Sequence, residues 1–361
     1  MNFEDFMVPP QRKRYEHWQL GQMVRGGIPE GGIVLIWLSD QRGAGGTAEI
    51  KPMAAVRRLF YELSKADFEV PMGDLGDLIS GKTLEDTHYV LQEVLLACHQ
   101  RGAIPVVIGG GSDFGYSLFS ALNQDVKDLT YTNLAGRFFL EQEETFPLNE
   151  KNYLYRLFCS KDFSIKNFHL LGCQKHLNDE ESLNLVKQVA FDVVRLADMM
   201  HSTEKTEPYF RQADLVTVDC NAVESFSSPF SLEPQVNGLN RREICAYMKE
   251  VGMSERLKSV GIFNFNFETE EVLNRQLLAQ MLWYLVEGIN IRRSHPKEKE
   301  YETFWVMIGE DSYAFRREIF TNLWYFGERE CPDDWLACSY EDYQNAKRGI
   351  LGRRLLKFLE E

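Results

Sequence analysis

The sequence has no excess of basic residues. Its 361 residues include 54 acidic and 40 basic side chains, which give a formal net charge of -14. A protein of this charge repels nucleic-acid phosphates, so we exclude non-specific binding to nucleic acid. At this length we expect one large domain with an extension rather than several separate cores.

The sequence also has no long apolar run and no paired cysteine spacing. No segment reaches the ~18 apolar residues that would span a bilayer, and the polar N-terminal residues do not resemble a signal peptide. The seven cysteines are odd in number and lack Cys-x-x-Cys spacing, which is typical of reduced thiols. We therefore expect a cytoplasmic protein with no membrane partner.

What the sequence does contain is an alternation of short apolar runs with longer segments that can hold helices. The runs that predict strands lie at 33–38, 104–108, 129–132, 168–171, 215–218 and 260–265. Strands separated by helices pair in parallel, and a parallel sheet is covered on both faces. The sequence therefore predicts an α/β fold in three layers, αβα, with a mainly parallel central sheet.

We divide the chain into an N-terminal arm at 1–30, an α/β domain at 31–292 and a C-terminal extension at 293–361. Within the domain, Thr83 followed by Asp86 resembles a capping box and predicts the start of a helix. Apolar residues at helical spacing follow this box, which supports the same helix.

The extension is rich in aromatic residues. It predicts strands at 304–308 and 323–326 with a polar helix between them, and a final helix over 340–359. Large aromatic side chains are usually buried, so we expect these elements to pack on the protein itself. The alternative is an assembly surface, because aromatic residues are enriched at interface cores.

The most informative segment follows the apolar run at 104–108. Gly109 to Gly111 end the run, and Ser112 and Asp113 come next. This edge resembles the first metal motif of the ureohydrolase superfamily (arginase, agmatinase, formimidoylglutamase), in which Gly-Gly-x-His closes the strand. The resemblance implies an arginase-like fold, and it implies a histidine ligand to one of two manganese ions where Ser112 stands. Asp113 is a candidate replacement, although the residue after the family's histidine points away from the metals.

Two later segments resemble the family's other metal motifs, in the same order. The second motif, Asp-Ala-His-x-Asp, best matches 133–138, which places Leu134, Gly136 and Phe138 at its ligand positions. The third motif, Asp-x-Asp, matches 219–221 and places Asp219 and Asn221 at its ligand positions. On this resemblance only Asp219 survives as an ionised ligand.

These side chains do not suit a dinuclear metal centre. Two divalent cations bring four positive charges, and hard ions of the manganese type take carboxylate and imidazole ligands. Ser112, Asp219 and Asn221 supply one negative charge where the family supplies four, so desolvation of the ions is not offset. Without metals no bound water is activated. We therefore predict that the family's manganese is lost, with no cofactor and no catalytic or metal-binding residue.

We expect the remnant of the site to form a relict pocket. Its candidate residues are Ser112, Asp113, Leu134, Gly136, Arg137, Phe138, His176, Asp219 and Asn221. Our hypothesis is that Arg137 neutralises Asp219 in place of the ions. A thiol nucleophile, Cys220 or Cys173, with His176 as its base is an alternative. However, Cys220 alternates with Asp219 along the strand and should point into packing.

Two functions follow from the resemblance. We favour a catalytically inactive ureohydrolase-like protein with a binding, scaffold or regulatory role, which forms a homo-oligomer or binds a protein partner through its C-terminal extension. The alternative is an active hydrolase of C–N bonds in linear amidines, with a single metal or a shifted ligand set. The triplet Gly109 to Gly111 resembles the formimidoylglutamase branch in particular.

Overall fold

The structure is a computed structural model that describes residues 3–11, 13–142, 147–188, 191–200, 203–225, 227–327 and 335–360. Its strands are β1 (Met7–Val8), β2 (Val24–Gly26), β3 (Ile33–Leu38), β4 (Met72–Leu78), β5 (Ile104–Gly109), β6 (Leu129–Leu134), β7 (Ile165–Cys173), β8 (Asp192–Arg195), β9 (Leu215–Asp219), β10 (Ser259–Phe263), β11 (Tyr301–Ile308), β12 (Asp311–Glu318), β13 (Trp324–Gly327) and β14 (Trp335–Cys338). Its α-helices are α1 (Ala54–Glu62), α2 (Leu84–Gln100), α3 (Gly115–Asp125), α4 (Tyr153–Cys159), α5 (Glu180–Gln188), α6 (Leu196–Met199), α7 (Glu207–Arg211), α8 (Arg241–Met253), α9 (Val272–Ser294), α10 (Tyr340–Ala346) and α11 (Arg353–Glu360). Among these helices, none combines the length and apolar character needed to cross a bilayer.

A sheet of ten strands forms the centre of the domain. Its order is β1-β4-β3-β5-β10-β9-β6-β7-β8, and β2 also pairs with β4. Among the described strands, neighbours run parallel except that β1 is antiparallel to β4. The carboxyl ends of β5, β10, β9 and β6 therefore lie side by side at one edge of the sheet.

Helices cover both faces of this sheet. Leu35 and Trp37 of β3 join one buried apolar cluster with residues of α1, α8 and α9. Val34 and Ile36 join a second cluster with residues of α2, α3 and α4. Because successive side chains of a strand point to opposite faces, a strand buried on both faces reads as a continuous apolar run. The predicted three-layer αβα architecture is confirmed.

The N-terminal arm covers one edge of the sheet. In β1, Met7 lies opposite Leu78 near the end of β4, and in β2, Val24 lies opposite Met72 at its start. An uncovered edge strand presents unpaired backbone groups to other chains, and the arm reduces this exposure on β4. A cavity of about 630 Å³ is lined mainly by residues of the arm, together with Tyr61, Asp74 and Leu75.

The start of α2 follows the prediction closely. Thr83 Oγ1 accepts from the Asp86 backbone N–H at 3.1 Å, and Asp86 Oδ2 accepts from the Thr83 backbone N–H at 2.9 Å. The helix ends at Gln100, and Gly102 follows with φ +63°. This conformation favours glycine because a Cβ atom is strained there.

The C-terminal extension forms a separate antiparallel sheet in the order β11-β12-β13-β14. The predicted strands at 304–308 and 323–326 correspond to β11 and β13. The predicted helix between them is wrong, because this segment is the strand β12. This segment pairs antiparallel with β11 on one side and with β13 on the other, and its burial does not alternate along the strand.

The predicted final helix over 340–359 is also corrected. It is two helices, α10 and α11, separated by a turn that contains Gly349 at φ +81°. A residue in this left-handed conformation ends the helical hydrogen-bond pattern.

The aromatic residues of this C-terminal lobe pack on one another. The rings of Trp324 and Tyr343 are stacked with centroids 4.5 Å apart, and Phe315 contacts both Phe326 and Tyr343. These residues belong to one apolar cluster between the sheet and the two helices. These aromatic residues therefore pack within the lobe itself, as we expected.

Arg211 of α7 joins the lobe to the domain. Its side chain is 2 % exposed and forms an ion pair with Glu207. The guanidinium donates to the backbone carbonyls of Trp324 at 2.6 Å and Cys338 at 3.3 Å, and it lies over the ring of Tyr325. A buried cation is stable only while all these partners remain, so the position of the lobe depends on Arg211.

We expect Arg211→Met to destabilise the protein by about 3–5 kcal/mol, because it leaves Glu207 unpaired and two carbonyls without a donor. Chemical denaturation would measure this loss, and limited proteolysis would show earlier cleavage in the lobe. The control is Arg317→Met, which breaks the exposed ion pair with Glu302 and should cost less than about 1 kcal/mol. Equal losses in the two variants would refute the role of Arg211.

Candidate functional site

The loops that follow β5, β6, β9 and β10 meet at one edge of the sheet, where the sequence predicts a relict pocket. A small cavity of about 20 Å³ lies between them. It is lined by Ser112, Asn133, Ala135, Arg137, Phe138, Phe139, Glu150, Tyr153, Leu154 and Asp219. A cavity of this size holds about one water molecule. The predicted residues Ser112, Arg137, Phe138 and Asp219 therefore do come together.

The match to the second motif is wrong by one residue. The side chain of Leu134 packs in an apolar cluster of the domain, and a Cβ atom added to Gly136 would face Gln174 rather than the cavity. Asn133 and Ala135 line the cavity instead. Because side chains alternate along a strand, a shift of one residue exchanges the two sets.

Asn264 connects two of the predicted residues. Its Nδ2 donates to Ser112 Oγ at 3.0 Å and to Asp219 Oδ1 at 3.1 Å. Its backbone N–H donates to the Gly110 carbonyl at 2.9 Å, and its φ of +60° is a conformation that asparagine tolerates better than most residues. The side-chain amide therefore bridges the ends of β5 and β9, where the resemblance implies metal ligands.

A chain of hydroxyl groups supports the floor of the cavity. Tyr131 Oη and Thr217 Oγ1 lie 2.8 Å apart, and Thr217 donates to Asn133 Oδ1 at 3.1 Å. Both Tyr131 and Thr217 are buried. Buried polar groups with all their partners are held rigidly, so Asn133 has a fixed orientation.

Arg137 does not neutralise Asp219, and this hypothesis is wrong. The Arg137 side chain is 46 % exposed, its guanidinium lies over the ring of Phe139, and its ion pair is with Glu233 at 3.5 Å. Asp219 Oδ1 instead accepts from the backbone N–H of Asn221 at 2.9 Å and from Asn264. Neutral donors thus take the place that we had assigned to a cation.

A second carboxyl group, Glu150, reaches the cavity. Burial, together with the negative charges of Asp219, Glu233 and Asp113, raises the pKa of Glu150 to about 8. Burial also raises the pKa of Asp219 to about 6, although the hydrogen bonds from Asn221 and Asn264 oppose this increase. Near neutral pH the Glu150 carboxyl is therefore mainly protonated, so a bound proton limits the negative charge in this cavity.

Asp113 points away from the cavity into a separate buried group. It is 0 % exposed, and its Oδ2 lies 3.0 Å from His88 Nε2. The other ring nitrogen of His88 lies 2.7 Å from Ser117 Oγ, and the ring stacks on Phe114. Asp113 therefore supports the packing of α2 against α3 and does not replace the missing ligand. His88 of α2 belongs to this group.

The remaining predicted residues do not line the cavity. Asn221 uses its side-chain Oδ1 to accept from the Glu233 backbone N–H at 2.8 Å, which shapes the loop after β9. His176 is exposed on a short 3-10 turn beyond β7. The thiol of Cys220 is buried, and burial raises its pKa well above the ordinary value. A Cys220–His176 pair therefore has no support, and Cys220 packs in the core as expected.

Two residues of the site were not predicted. Asn264 lies near the end of the strand predicted at 260–265, so the sequence indicated that it lies at the carboxyl edge of the sheet. The sequence did not indicate its contact with Ser112. Glu150 comes from the loop before α4, and its backbone N–H donates to the Gly43 carbonyl at 3.1 Å. No spacing in the sequence indicates that this loop returns to the cavity.

The folding pattern matches known structures. Trypanosoma cruzi formiminoglutamase, in a crystal structure with Mn²⁺, is 21% identical with a TM-score of 0.68, over 76% of this chain and 99% of that one. Formimidoylglutamase of Bacillus subtilis is 14% identical with a TM-score of 0.67, over 77% and 94%. Agmatine ureohydrolase of Thermoplasma volcanium is 14% identical with a TM-score of 0.62, over 78% and 98%. No protein-family model and no curated protein matches the chain.

These likenesses show the ureohydrolase fold, arginase-like and αβα, for this chain. The donor atoms at its cavity do not fit a dinuclear metal centre. Among the described residues that line it, the two carboxyl groups of Asp219 and Glu150 carry at most two negative charges against four positive ones, and none of these lining residues is a histidine. Across the described ranges, no group of three His, Cys, Asp or Glu side chains is placed to hold a metal ion.

We expect Glu150→Gln to stabilise the protein at high pH. Folding raises the pKa of Glu150 from 4.5 to about 8. Between these pH values the folded protein keeps a proton on Glu150 that the unfolded chain has lost, so the free energy of unfolding falls as pH rises. The glutamine of the variant does not ionise, so the variant does not lose stability in this way. Because the side chain is partly exposed, we expect a gain of about 1–2 kcal/mol at pH ~8 and little difference at pH ~4.5.

Chemical denaturation across this pH range measures the difference between variant and parent. The control is Glu141→Gln, which removes an exposed carboxylate that pairs weakly with Lys151 at 4.0 Å and should change stability by less than about 1 kcal/mol. Parallel pH profiles for parent and Glu150→Gln would contradict the buried, protonated state of Glu150.

Proposed function

We propose that this protein is a non-catalytic ureohydrolase-like protein that acts by binding. One observation carries the proposal: the amide of Asn264 donates to both Ser112 and Asp219, where the fold's metal motifs end. An amide N–H₂ is a donor, and a donor directed at these oxygen atoms competes with a cation for the same lone pairs.

The balance of charge supports the same proposal. A dinuclear centre of hard cations requires several carboxylates and imidazoles, whereas the cavity holds Asp219 and a Glu150 whose pKa is raised to about 8. Ala135 lines the cavity and has no donor atom in its side chain. Without a metal pair, the water activation on which such a hydrolase depends has no source.

The alternative, an active hydrolase of C–N bonds in linear amidines with a remodelled metal site, also has an observation in its favour. Glu150 adds a carboxyl group beside Asp219, and Asn264 Oδ1 is buried without a hydrogen-bond partner among the described residues. The oxygen atoms of Glu150, Asp219 and Asn264 are better suited to binding a single hard cation than a pair of cations.

We expect the purified chain to retain no manganese after loading with Mn²⁺ and gel filtration, because the Asn264 donor and the protonated Glu150 disfavour a cation. Elemental analysis measures the metal, and hydrolysis of formiminoglutamate is assayed on the same sample. Two equivalents of retained metal would overturn the proposal. One equivalent that is lost in Asp219→Asn, together with hydrolysis, would establish the alternative.

We assign the binding role to the free edge of the C-terminal lobe, and we propose a second copy of this chain as the partner. β11 ends the strand order of the lobe, and among the described residues no strand pairs with its outer side. Trp305 and Met307 of this strand are 50% and 64% exposed. A long apolar edge strand without proline or a bulge is a surface on which another strand pairs readily.

The sequence of β11 is complementary to itself. In an antiparallel pair centred on Trp305, this residue faces its own symmetry mate and Thr303 faces Met307, as in an isologous interface. The one charged side chain, Glu302, would face Ile308 and therefore meets no like charge. Such a pair would join two lobes into one continuous sheet.

Sedimentation velocity tests this interface. We expect the parent to be dimeric and Trp305→Lys/Met307→Lys to be monomeric, because opposed lysines repel across the strand pair. The control is Val236→Lys, which changes an equally exposed apolar residue, 79% exposed, in a loop of the domain. A monomeric parent, or a dimer that persists in the β11 variant, would remove β11 as the interface.

We also propose a cytoplasmic location. The six cysteines that the structure describes are all free thiols, and five of them are buried. Free thiols persist in reducing compartments, and secreted proteins of this size tend to pair them.

A further inference from the structure

The cavity of about 630 Å³ beside the N-terminal arm forms where the arm leaves the edge of the sheet. β2 pairs with residues 72–74 of β4, and β1 pairs with residues 77–78. Between them, no described strand of the arm pairs with Leu75 or Gly76. Leu75 lines the cavity at this gap. We call it the arm cavity.

The walls of the arm cavity are mainly apolar. Met7 and Val24 come from the two strands of the arm, and Leu75 comes from β4. Tyr15 and Tyr61 add their rings, which meet edge to face with centroids 5.5 Å apart. Cavities that bind small molecules have volumes of about 300–1,000 Å³ and are lined predominantly by apolar and aromatic side chains. The arm cavity has both properties.

The buried carboxylate of Asp74 also lines the cavity, but its own partners already surround it. The side chain is 1% exposed, and Arg57 Nε lies 3.0 Å from its Oδ2. The carboxylate accepts hydrogen bonds from the Gly76 backbone N–H at 2.7 Å, the Trp37 indole at 3.3 Å and the Tyr61 hydroxyl. Because these donors satisfy Asp74, a cationic ligand gains little from it.

Arg25 of β2, by contrast, is held by neutral groups. Its guanidinium donates to the backbone carbonyls of Gln22 at 2.6 Å and Val24 at 3.3 Å, and among the described residues it forms no ion pair. A carbonyl oxygen orients a guanidinium without cancelling its charge. The side chain is exposed and lines the cavity, so it lies at the mouth.

The other charged side chains of the lining do not offset Arg25. Glu4 and Lys13 bring one charge of each sign, and Asp74 is satisfied by its buried partners. The charged group that a ligand meets at the mouth is therefore the guanidinium of Arg25. Guanidinium groups bind carboxylates through paired, charge-assisted hydrogen bonds.

We propose that the arm cavity binds a carboxylic acid with an unbranched apolar chain, of the medium-chain fatty acid type, with the chain inside the cavity and the carboxylate at Arg25. The apolar walls remove the chain from water, and this burial supplies most of the affinity. The guanidinium selects the head group. The described lining residues of this cavity and of the relict pocket do not overlap, so the site is independent of the proposed function.

Isothermal titration calorimetry of the full chain with decanoate, below its critical micelle concentration, tests this site. We expect one molecule per chain with a Kd below about 100 μM. Hexanoate should bind at least about tenfold more weakly, because each methylene removed from water contributes up to about fourfold in affinity. Decylamine, with the same chain and the opposite charge, should also bind at least about tenfold more weakly than decanoate.

Two variants separate the role of the chain from that of the head group. Arg25→Gln should weaken decanoate at least about fivefold and leave neutral 1-decanol unchanged, because it removes only the guanidinium. Val24→Phe, which fills part of the cavity, should weaken both ligands, because less of the chain is removed from water. The control is Arg241→Gln, an exposed arginine at the start of α8 outside the cavity lining, which should bind decanoate like the parent.

The absence of stoichiometric decanoate binding would overturn the proposal. Equal binding of decylamine, or an equal loss of affinity in Arg241→Gln, would overturn it as well. Circular dichroism checks the fold of each variant. If Val24→Phe does not fold, Arg25→Gln, on an exposed side chain, and the comparison of hexanoate with decanoate test the same site.

Discussion

The side-chain amide of Asn264 is the interaction on which the character of this site depends. It donates to Ser112 and to Asp219 at the ends of two strands that do not pair with each other, since β10 lies between them. Its left-handed backbone is fixed by a hydrogen bond to Gly110. A donor held so firmly at these oxygens closes this edge of the sheet with hydrogen bonds.

Electrostatics follow from this closure. A carboxylate in a small cavity must be compensated by a cation, by hydrogen-bond donors or by protonation. Asp219 receives donors from Asn221 and Asn264, and Glu150 is largely protonated near neutral pH because burial and the neighbouring acids raise its pKa to about 8. Arg137, the cation that the sequence offered, lies at the rim with Glu233. The negative charge of the cavity is thus limited by protonation of Glu150 and by hydrogen bonds to Asp219, and not by Arg137 as expected.

Most of the fold could be predicted because its signals are local. The apolar run of β3 and the capping box of Thr83 and Asp86 each depend on residues close together in the chain, and both were predicted correctly. The lobe was predicted less well. Its middle strand β12 carries arginines and acids among its apolar residues, and only pairing with β11 and β13 makes it a strand.

The sequence by itself determined the layered parallel sheet and the residue types that follow its strands, because strand periodicity and residue chemistry can be read directly. Only the tertiary structure decided which residues face the cavity. The register of Asn133 against Leu134, the return of Glu150 from a distant loop and the bridging role of Asn264 all arise from contacts between segments far apart in the chain. Such contacts leave no local pattern, since burial and strand pairing select them only when the whole domain has folded.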